Sequence, residues 1–218
     1  QKFPEAQIVA TKSVELPASR IPIIKVQYPR IRKINYFKEA ARHSRIIHSS
    51  SVAIHRFTFH SVGYFSDFLQ GEDSEFWARC CLEFPCAVSN RATSFYCRGT
   101  GGIMEQRWLA KQSPINHLTT TARLGPAVEY LLATLEKDSL NDALRNSIIQ
   151  YINSRVTIML KIYLFSGNAS ALPELASNYL YPMSLSCRIW GFFANLPLPV
   201  LTLFYNIRTS LRTLYKKI

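Results

Sequence analysis

The chain has 218 residues, of which 48% are apolar and 18% charged, and its net charge is +12. This length permits one domain, or a small domain with extended arms, with a sizeable core. The low charged fraction indicates a surface that partners partly cover, and the five cysteines, which include no CxxC pair, argue against a zinc site and against a disulfide scaffold.

The positive charge is concentrated at the two ends of the chain. Residues 1–66 hold 11 Lys/Arg and 3 Asp/Glu, a net charge of +8. Residues 67–142 hold 7 Lys/Arg and 10 Asp/Glu, a net charge of −3, and residues 143–218 hold 8 Lys/Arg and 1 Asp/Glu, a net charge of +7. Basic ends suit phosphate groups, either of anionic lipids or of nucleic acid. The alternative is a basic protein without a polyanionic partner, since net charge also favours solubility.

Residues 1–36 are predicted to form an extended basic arm. Four prolines, at positions 4, 17, 22 and 29, prevent a helix of useful length before residue 33. Such an Ile-rich segment cannot bury its apolar side chains alone, so we expect it to lie along a partner protein; the alternative is a disordered tail. The residues predicted to contact that partner are Arg20, Lys25, Arg30, Arg32 and Lys33.

Residues 37–125 are predicted to form a small mixed region. The pattern indicates a short helix near residues 35–48, a short strand over 52–60, a helix over 75–82 capped by Ser74, and a strand or irregular segment and a loop over 86–102. The histidines of this region lack ligand spacing, so we expect hydrogen-bonded or surface side chains rather than metal ligands at His43, His48, His55 and His60.

Residues 126–218 are predicted to be helical. Pro126 suits the first turn of a helix over 127–137, and a second helix is expected over 140–165. The second half of that longer helix is apolar nearly all round apart from Lys161. It belongs either to a core or to lipid, and in lipid Lys161 would extend toward the headgroups.

An uncharged run over residues 189–207 indicates membrane association. Pro197 and Pro199 in its middle argue against one straight helix, so we expect a bent or broken element whose part from Val200 onward lies at a membrane interface. The alternative is a surface helix on a soluble core. The cations predicted to contact lipid or phosphate are Arg188, Arg208, Arg212, Lys216 and Lys217.

The sequence contains no recognisable catalytic pattern. It has no paired carboxylates, no nucleophile beside a base, no spacing typical of metal ligands and no nucleotide-binding loop. Glu174, beside Pro173, is expected in a loop. We therefore expect no enzyme activity, no cofactor and no metal site.

These patterns predict a mainly α-helical chain with an extended basic N-terminal arm, a small mixed middle region with a short strand, and a helical, apolar C-terminal half. The predicted function is that of a non-catalytic accessory subunit of a mitochondrial inner-membrane complex, of respiratory or ATP-synthase type, which binds neighbouring subunits and lipid. The mitochondrial location rests on unpaired thiols in a basic chain that starts at Gln1 without a signal peptide. The alternative is an RNA-bound component of an organellar ribosome.

Overall fold

A computed structural model describes residues 3–17, 28–43, 45–68, 70–102, 124–137, 139–166, 184–194, 196–197, 199–200 and 203. The chain divides into two compact units, Gln1–Gln106 with Gly125–Tyr151, and Arg107–Leu124 with Ile152–Ile218. The described strands are β1 Ile8–Pro17, β2 Ile31–Ile34, β3 Val52–Ile54 and β4 Cys86–Arg98. The described helices are α1 Tyr36–Arg42, α2 Arg56–Val62, α3 Glu72–Glu83, α4 Pro126–Leu135, α5 Asp142–Ser166 and α6 Leu185–Ala194, and a 3₁₀ turn spans Ser49–Ser51.

The four strands form one mixed sheet in the order β2-β4-β1-β3. β4 is parallel to β1 and antiparallel to β2, and β3 is antiparallel to β1. The register aligns Ile34, Cys86, Ile8 and Ile54 across the sheet, so these four side chains share one face. Ile8 and Cys86, in the central strands, are buried, which identifies this face as the one that packs on the core of the first unit.

Helix α1 and the start of α5 contribute to the same core. Asn35 caps α1, since its side-chain oxygen accepts a hydrogen bond from the backbone N–H of Lys38 at 3.1 Å. Its Nδ2 donates to Ser147 Oγ on α5 at 3.1 Å. The buried rings of Phe37 and Tyr151 meet edge to face with centroids 6.0 Å apart. A polar cap and an aromatic pair therefore join α1 to the first turns of α5.

Helices α3 and α4 pack against each other in the first unit. Pro126 is the first residue of α4, as the sequence predicts, and buried Leu131 and Leu135 lie one turn apart on its inner side. On α3, Phe76 and Cys80 are buried at the same one-turn spacing. The repeat of apolar residues at this spacing is what an amphipathic helix needs to face a core.

The prediction of a mainly α-helical chain is wrong. A four-stranded mixed sheet organises the first unit, and the two described parts of the predicted arm, β1 and β2, are strands of that sheet rather than a separate extended segment. The reason is that β4 supplies hydrogen-bonding partners to both strands from more than 50 residues away. Local sequence patterns do not reveal such distant pairing. The predicted domain boundaries after residues 36 and 125 stay predictions.

The prediction of a helical, apolar C-terminal half is wrong as well, because α5 opens with polar and charged residues. The start of α5 carries Asp142 and Arg145 among its exposed and half-buried residues. Among the described residues, no helix combines the length and the apolar character that a membrane crossing requires.

Two predicted element boundaries in the middle region also differ from the structure. The strand expected over 52–60 ends at Ile54, because His55 caps α2 by accepting a hydrogen bond from the N–H of Phe57 on its Nδ1. Helix α3 starts at Glu72, before the predicted cap Ser74, because Gly71 adopts the left-handed conformation there. The helices expected over 127–137 and 140–165 are confirmed within two residues at each end.

Candidate functional site

The most distinctive surface of the second unit is carried by α6. The start of this ten-residue helix is anchored on α5, where Asn153 Oδ1 accepts a hydrogen bond at 2.9 Å from the N–H of Ser184, the residue before α6. The Nζ of Lys161 lies 5.0 Å from the ring centroid of Trp190, within the range of a cation–π contact. Phe193 packs beside Trp190 with ring centroids 5.9 Å apart. These contacts fix which side of α6 faces the protein.

The opposite side of α6 is apolar and exposed. Leu185, Ile189 and Phe192 retain 75%, 46% and 67% of their accessible surface. Their spacing of four and three residues places them on one face of the helix, and Arg188 is exposed beside Phe192 on the same side. An apolar stripe bordered by a cation is the arrangement of a helix that lies at a lipid–water interface.

The apolar surface continues past the end of α6. The helix ends at Ala194, three residues before Pro197, so the uncharged run is broken where the prolines predict. Val200 and Leu203, beyond the break, are both exposed and helical. Among the described residues of this run, Val200 and Leu203 therefore add two exposed apolar side chains to those of α6.

Of the cations predicted to contact lipid, the structure describes one, Arg188, and it lies beside the exposed apolar stripe. The other four, Arg208, Arg212, Lys216 and Lys217, lie outside the described residues, as does Glu174. The sequence left two environments open for the second half of α5, a core or lipid. In the structure the ammonium group of Lys161 lies over the ring of Trp190. The sequence did not reveal the contacts of Asn153 and Trp190, because no local pattern links either residue to the orientation of α6.

The three predicted partner-contact residues that the structure describes, Arg30, Arg32 and Lys33, lie on and beside the edge strand β2, where Arg32 and Lys33 are both paired. Arg32 donates to both carboxylate oxygens of Glu39 at 2.9 and 3.0 Å, and Lys33 lies 3.5 Å from Glu5. The Arg32 hydrogen bond holds the pKa of Glu39 below its ordinary value, and Glu39 in turn raises the pKa of Arg32. Two of the predicted cations therefore have partners within their own unit.

Arg30 differs from its neighbours on β2. Its backbone exchanges hydrogen bonds with Asn90, and no carboxylate in the described part of the chain pairs with its guanidinium group. Tyr28, two residues before it, is 96% exposed. The remaining predicted arm residues, Arg20 and Lys25, lie outside the described residues.

A second group of cations surrounds Glu15 on β1. Arg98 and Arg45 both donate to its carboxylate, and the Arg98 hydrogen bond is the main reason that the pKa of Glu15 is lowered. The guanidinium carbons of Arg98 and Arg45 lie 5.0 and 6.0 Å from the ring centroid of Tyr96. This cluster ties β1, β4 and the segment after α1 together, and all three charged side chains stay partly exposed.

Burial lowers the reactivity of the adjacent thiols of Cys80 and Cys81 on α3. Burial raises the pKa of the Cys80 thiol to about 12 and also raises that of Cys81, so both thiols stay protonated at neutral pH. No group of three potential metal ligands occurs among the described residues. Two of the histidines cap helical turns through Nδ1, His48 at Ser50 and His55 at Phe57.

The chain matches no protein-family model, no curated protein and no solved structure. A function is therefore inferred from the chain's own surfaces, of which the exposed face of α6 is the most specific.

Proposed function

We propose that this protein is a non-catalytic subunit that attaches to an anionic membrane surface through α6, in a mitochondrial inner-membrane assembly. The single observation that carries the proposal is the exposed stripe of Leu185, Ile189 and Phe192 beside Arg188, on a helix that Asn153 anchors at its start and Lys161 contacts through Trp190. A fixed apolar stripe costs free energy in water and is stabilised when an apolar phase covers it.

The magnitudes favour attachment by two combined effects. Covering the exposed parts of the three apolar side chains contributes roughly 3 to 5 kcal/mol, at about 1.5–3 kcal/mol for each fully buried side chain. That alone resembles the weak, reversible binding of a single lipid chain. Each Lys or Arg near an anionic surface adds about 1 kcal/mol. Arg188 and the four cations at positions 208, 212, 216 and 217 therefore supply a contribution of similar size.

The test is binding of the full chain to phosphatidylcholine vesicles with and without phosphatidylglycerol, measured by cosedimentation. The double variant Ile189→Ser/Phe192→Ser is expected to bind both vesicle types about 30-fold more weakly, since it removes about 2 kcal/mol of apolar transfer. Arg188→Gln is expected to weaken binding about fivefold, and only to the anionic vesicles.

Phe57→Ser is the matched control, because Phe57 is exposed to a similar extent but lies on α2 in the first unit. It should bind like the natural chain. Equal binding by the α6 double variant and the control would contradict membrane attachment through α6.

A second candidate function is RNA binding, as in an organellar ribosome. The exposed ring of Tyr28 beside Arg30, whose guanidinium has no described carboxylate partner, favours it, because stacking and phosphate contact are the means by which proteins bind single strands. If Tyr28→Ala/Arg30→Gln abolishes retention of single-stranded RNA on a filter while vesicle binding is absent, this second function replaces the first.

A further inference from the structure

The first unit displays three aromatic side chains on one short loop between α2 and α3. This segment, residues 63–68, is called the aromatic loop here. Tyr64, Phe65 and Phe68 retain 72%, 46% and 45% of their accessible surface. Large aromatic side chains are usually among the most buried in a domain, and a cluster of them in the open is typical of interaction surfaces.

The aromatic loop is held in place by an ion pair within α3. Arg79 donates to Glu75 Oε1 at 2.6 Å, and both side chains are largely buried. The same guanidinium donates to the carbonyl of Tyr64 at 2.6 Å and to the carbonyl of Val62. Ser66 Oγ donates to Glu75 Oε2 at 3.1 Å. The Arg79–Glu75 pair therefore holds the first part of the loop, up to Ser66.

The aromatic rings are also supported from below by the core. Phe65 lies 4.2 Å from Phe76 and 5.9 Å from Trp77 between ring centroids, and both of those residues are buried. Tyr64 rests on Phe59 at 5.6 Å. Tyr64 and Phe65 are thus held in one orientation, and a surface ordered in advance loses little conformational entropy when a partner binds.

A buried charge pair contributes little to stability by itself, because desolvation offsets the attraction between the charges. The Arg79–Glu75 pair does, however, hold the first part of the aromatic loop in position. We take this fixed display as the feature that points to a partner.

The charge around the aromatic loop identifies the kind of partner. From Phe57 to Ala78 the sequence has no Lys or Arg, and its acidic residues are Asp67, Glu72, Asp73 and Glu75. Arg79 neutralises Glu75, which leaves three carboxylates on and after the loop, and Asp67 between Phe65 and Phe68 is exposed. Aromatic anchors beside uncompensated carboxylates are complementary to apolar residues interleaved with cations.

We propose that the aromatic loop docks a basic amphipathic segment of a partner protein, with apolar side chains against Tyr64, Phe65 and Phe68 and a Lys or Arg against Asp67. The site lies in the first unit and does not depend on membrane attachment by α6.

The test uses two synthetic amphipathic peptides with the same leucine pattern, one carrying lysine and the other glutamate, titrated into the full chain by calorimetry. The lysine peptide is expected to bind and the glutamate peptide is not. Tyr64→Ser/Phe68→Ser is expected to weaken lysine-peptide binding at least tenfold, as for central aromatic anchors. Asp67→Asn should weaken it a few-fold and reduce its salt dependence.

Two further variants separate the loop from general effects. Phe57→Ser, on α2 outside the loop, should leave peptide affinity unchanged. Ser66→Ala keeps every aromatic ring but removes one hydrogen bond that holds the loop, and it should weaken binding a few-fold, with circular dichroism to show that the fold is retained. Equal binding of both peptides, no effect of Tyr64→Ser/Phe68→Ser, or self-association of the chain that this variant abolishes would each overturn the proposal.

Discussion

At the scale of single residues, two further carboxylates of the first unit, besides Glu75, are each bound by arginine in the described part of the chain. Glu39 accepts from Arg32, and Glu15 accepts from Arg98 and Arg45. Arginine hydrogen bonds favour the ionised carboxylate, so the pKa of each acid is lower in the folded chain than in the unfolded one. Such a group adds stability above its unfolded pKa, and this contribution is lost as the pH falls through the folded pKa.

Glu39→Gln is therefore expected to reduce the acid dependence of stability. Between about pH 5 and pH 3 the natural chain should lose free energy of unfolding more steeply than the variant does, because only the natural chain must protonate Glu39. Urea unfolding followed across this pH range measures the difference. Arg32→Gln removes the other partner and should produce the same shallower profile. Profiles as steep as that of the natural chain in both variants would contradict the assignment.

Other residues show why the candidate surfaces were only partly predictable. Arg188 could be named from its place at the edge of the uncharged run. Leu185, Ile189 and Phe192 share a helix face by their spacing, but the sequence gives equal weight to the side with Trp190 and Phe193. Asn153 and Lys161 on α5 decide between these sides. The aromatic loop was missed because its exposure depends on Arg79, which follows it by more than ten residues.

At the scale of elements, the start of α3 depends on a glycine. Gly71 has φ of 87°, in the left-handed region, and a Cβ placed on it would lie 3.1 Å from Cδ of Pro126, the first residue of α4. The residue therefore meets two requirements together, since the backbone must turn into α3 and α4 must approach closely. The sequence pattern placed the start later because Ser74 is a favourable cap residue.

Gly71→Ala is expected to lower the free energy of unfolding by about 2 kcal/mol, which combines left-handed strain of about 1 kcal/mol with the Pro126 contact. Gly99→Ala is the matched control, because Gly99 also has a positive φ but no atom within 4 Å of its added Cβ. Gly99→Ala should lower the free energy of unfolding only by the part that comes from left-handed strain. Urea unfolding of both variants measures the two effects, and equal losses would show that the Pro126 contact contributes nothing.

At the scale of the whole molecule, the placement of charge distinguishes the ends from the middle. The first 66 residues carry +8 and the last 76 carry +7, whereas the 76 residues between them carry −3. Asp67, Glu72 and Asp73, at the end of the aromatic loop and just after it, open the acidic middle, and the basic C-terminal part contains α6 and Arg188. The two proposed surfaces therefore suit partners of opposite charge, a basic segment for the aromatic loop and an anionic membrane for α6.

Replacing Arg208, Arg212, Lys216 and Lys217 by glutamine in the full chain tests the contribution of the basic end. Binding to phosphatidylglycerol-containing vesicles is expected to weaken by about a thousandfold, at about 1 kcal/mol for each of the four cations. Binding to pure phosphatidylcholine should change little, and the salt dependence should decrease. Cosedimentation at two salt concentrations measures this. An equal loss on both vesicle types would show that the four residues act through something other than charge.

The sequence by itself determined the features that local patterns encode. These are the helices α4 and α5, the break before Pro197, the zones of charge and the lack of a recognisable catalytic pattern. Only the tertiary structure decided that β1, β2 and β4 form one sheet, which side of α6 is exposed, and that the aromatic loop is held outward. The physical reason is that helix formation depends on neighbours three or four residues apart, whereas strand pairing and the choice of exposed face depend on contacts between distant residues.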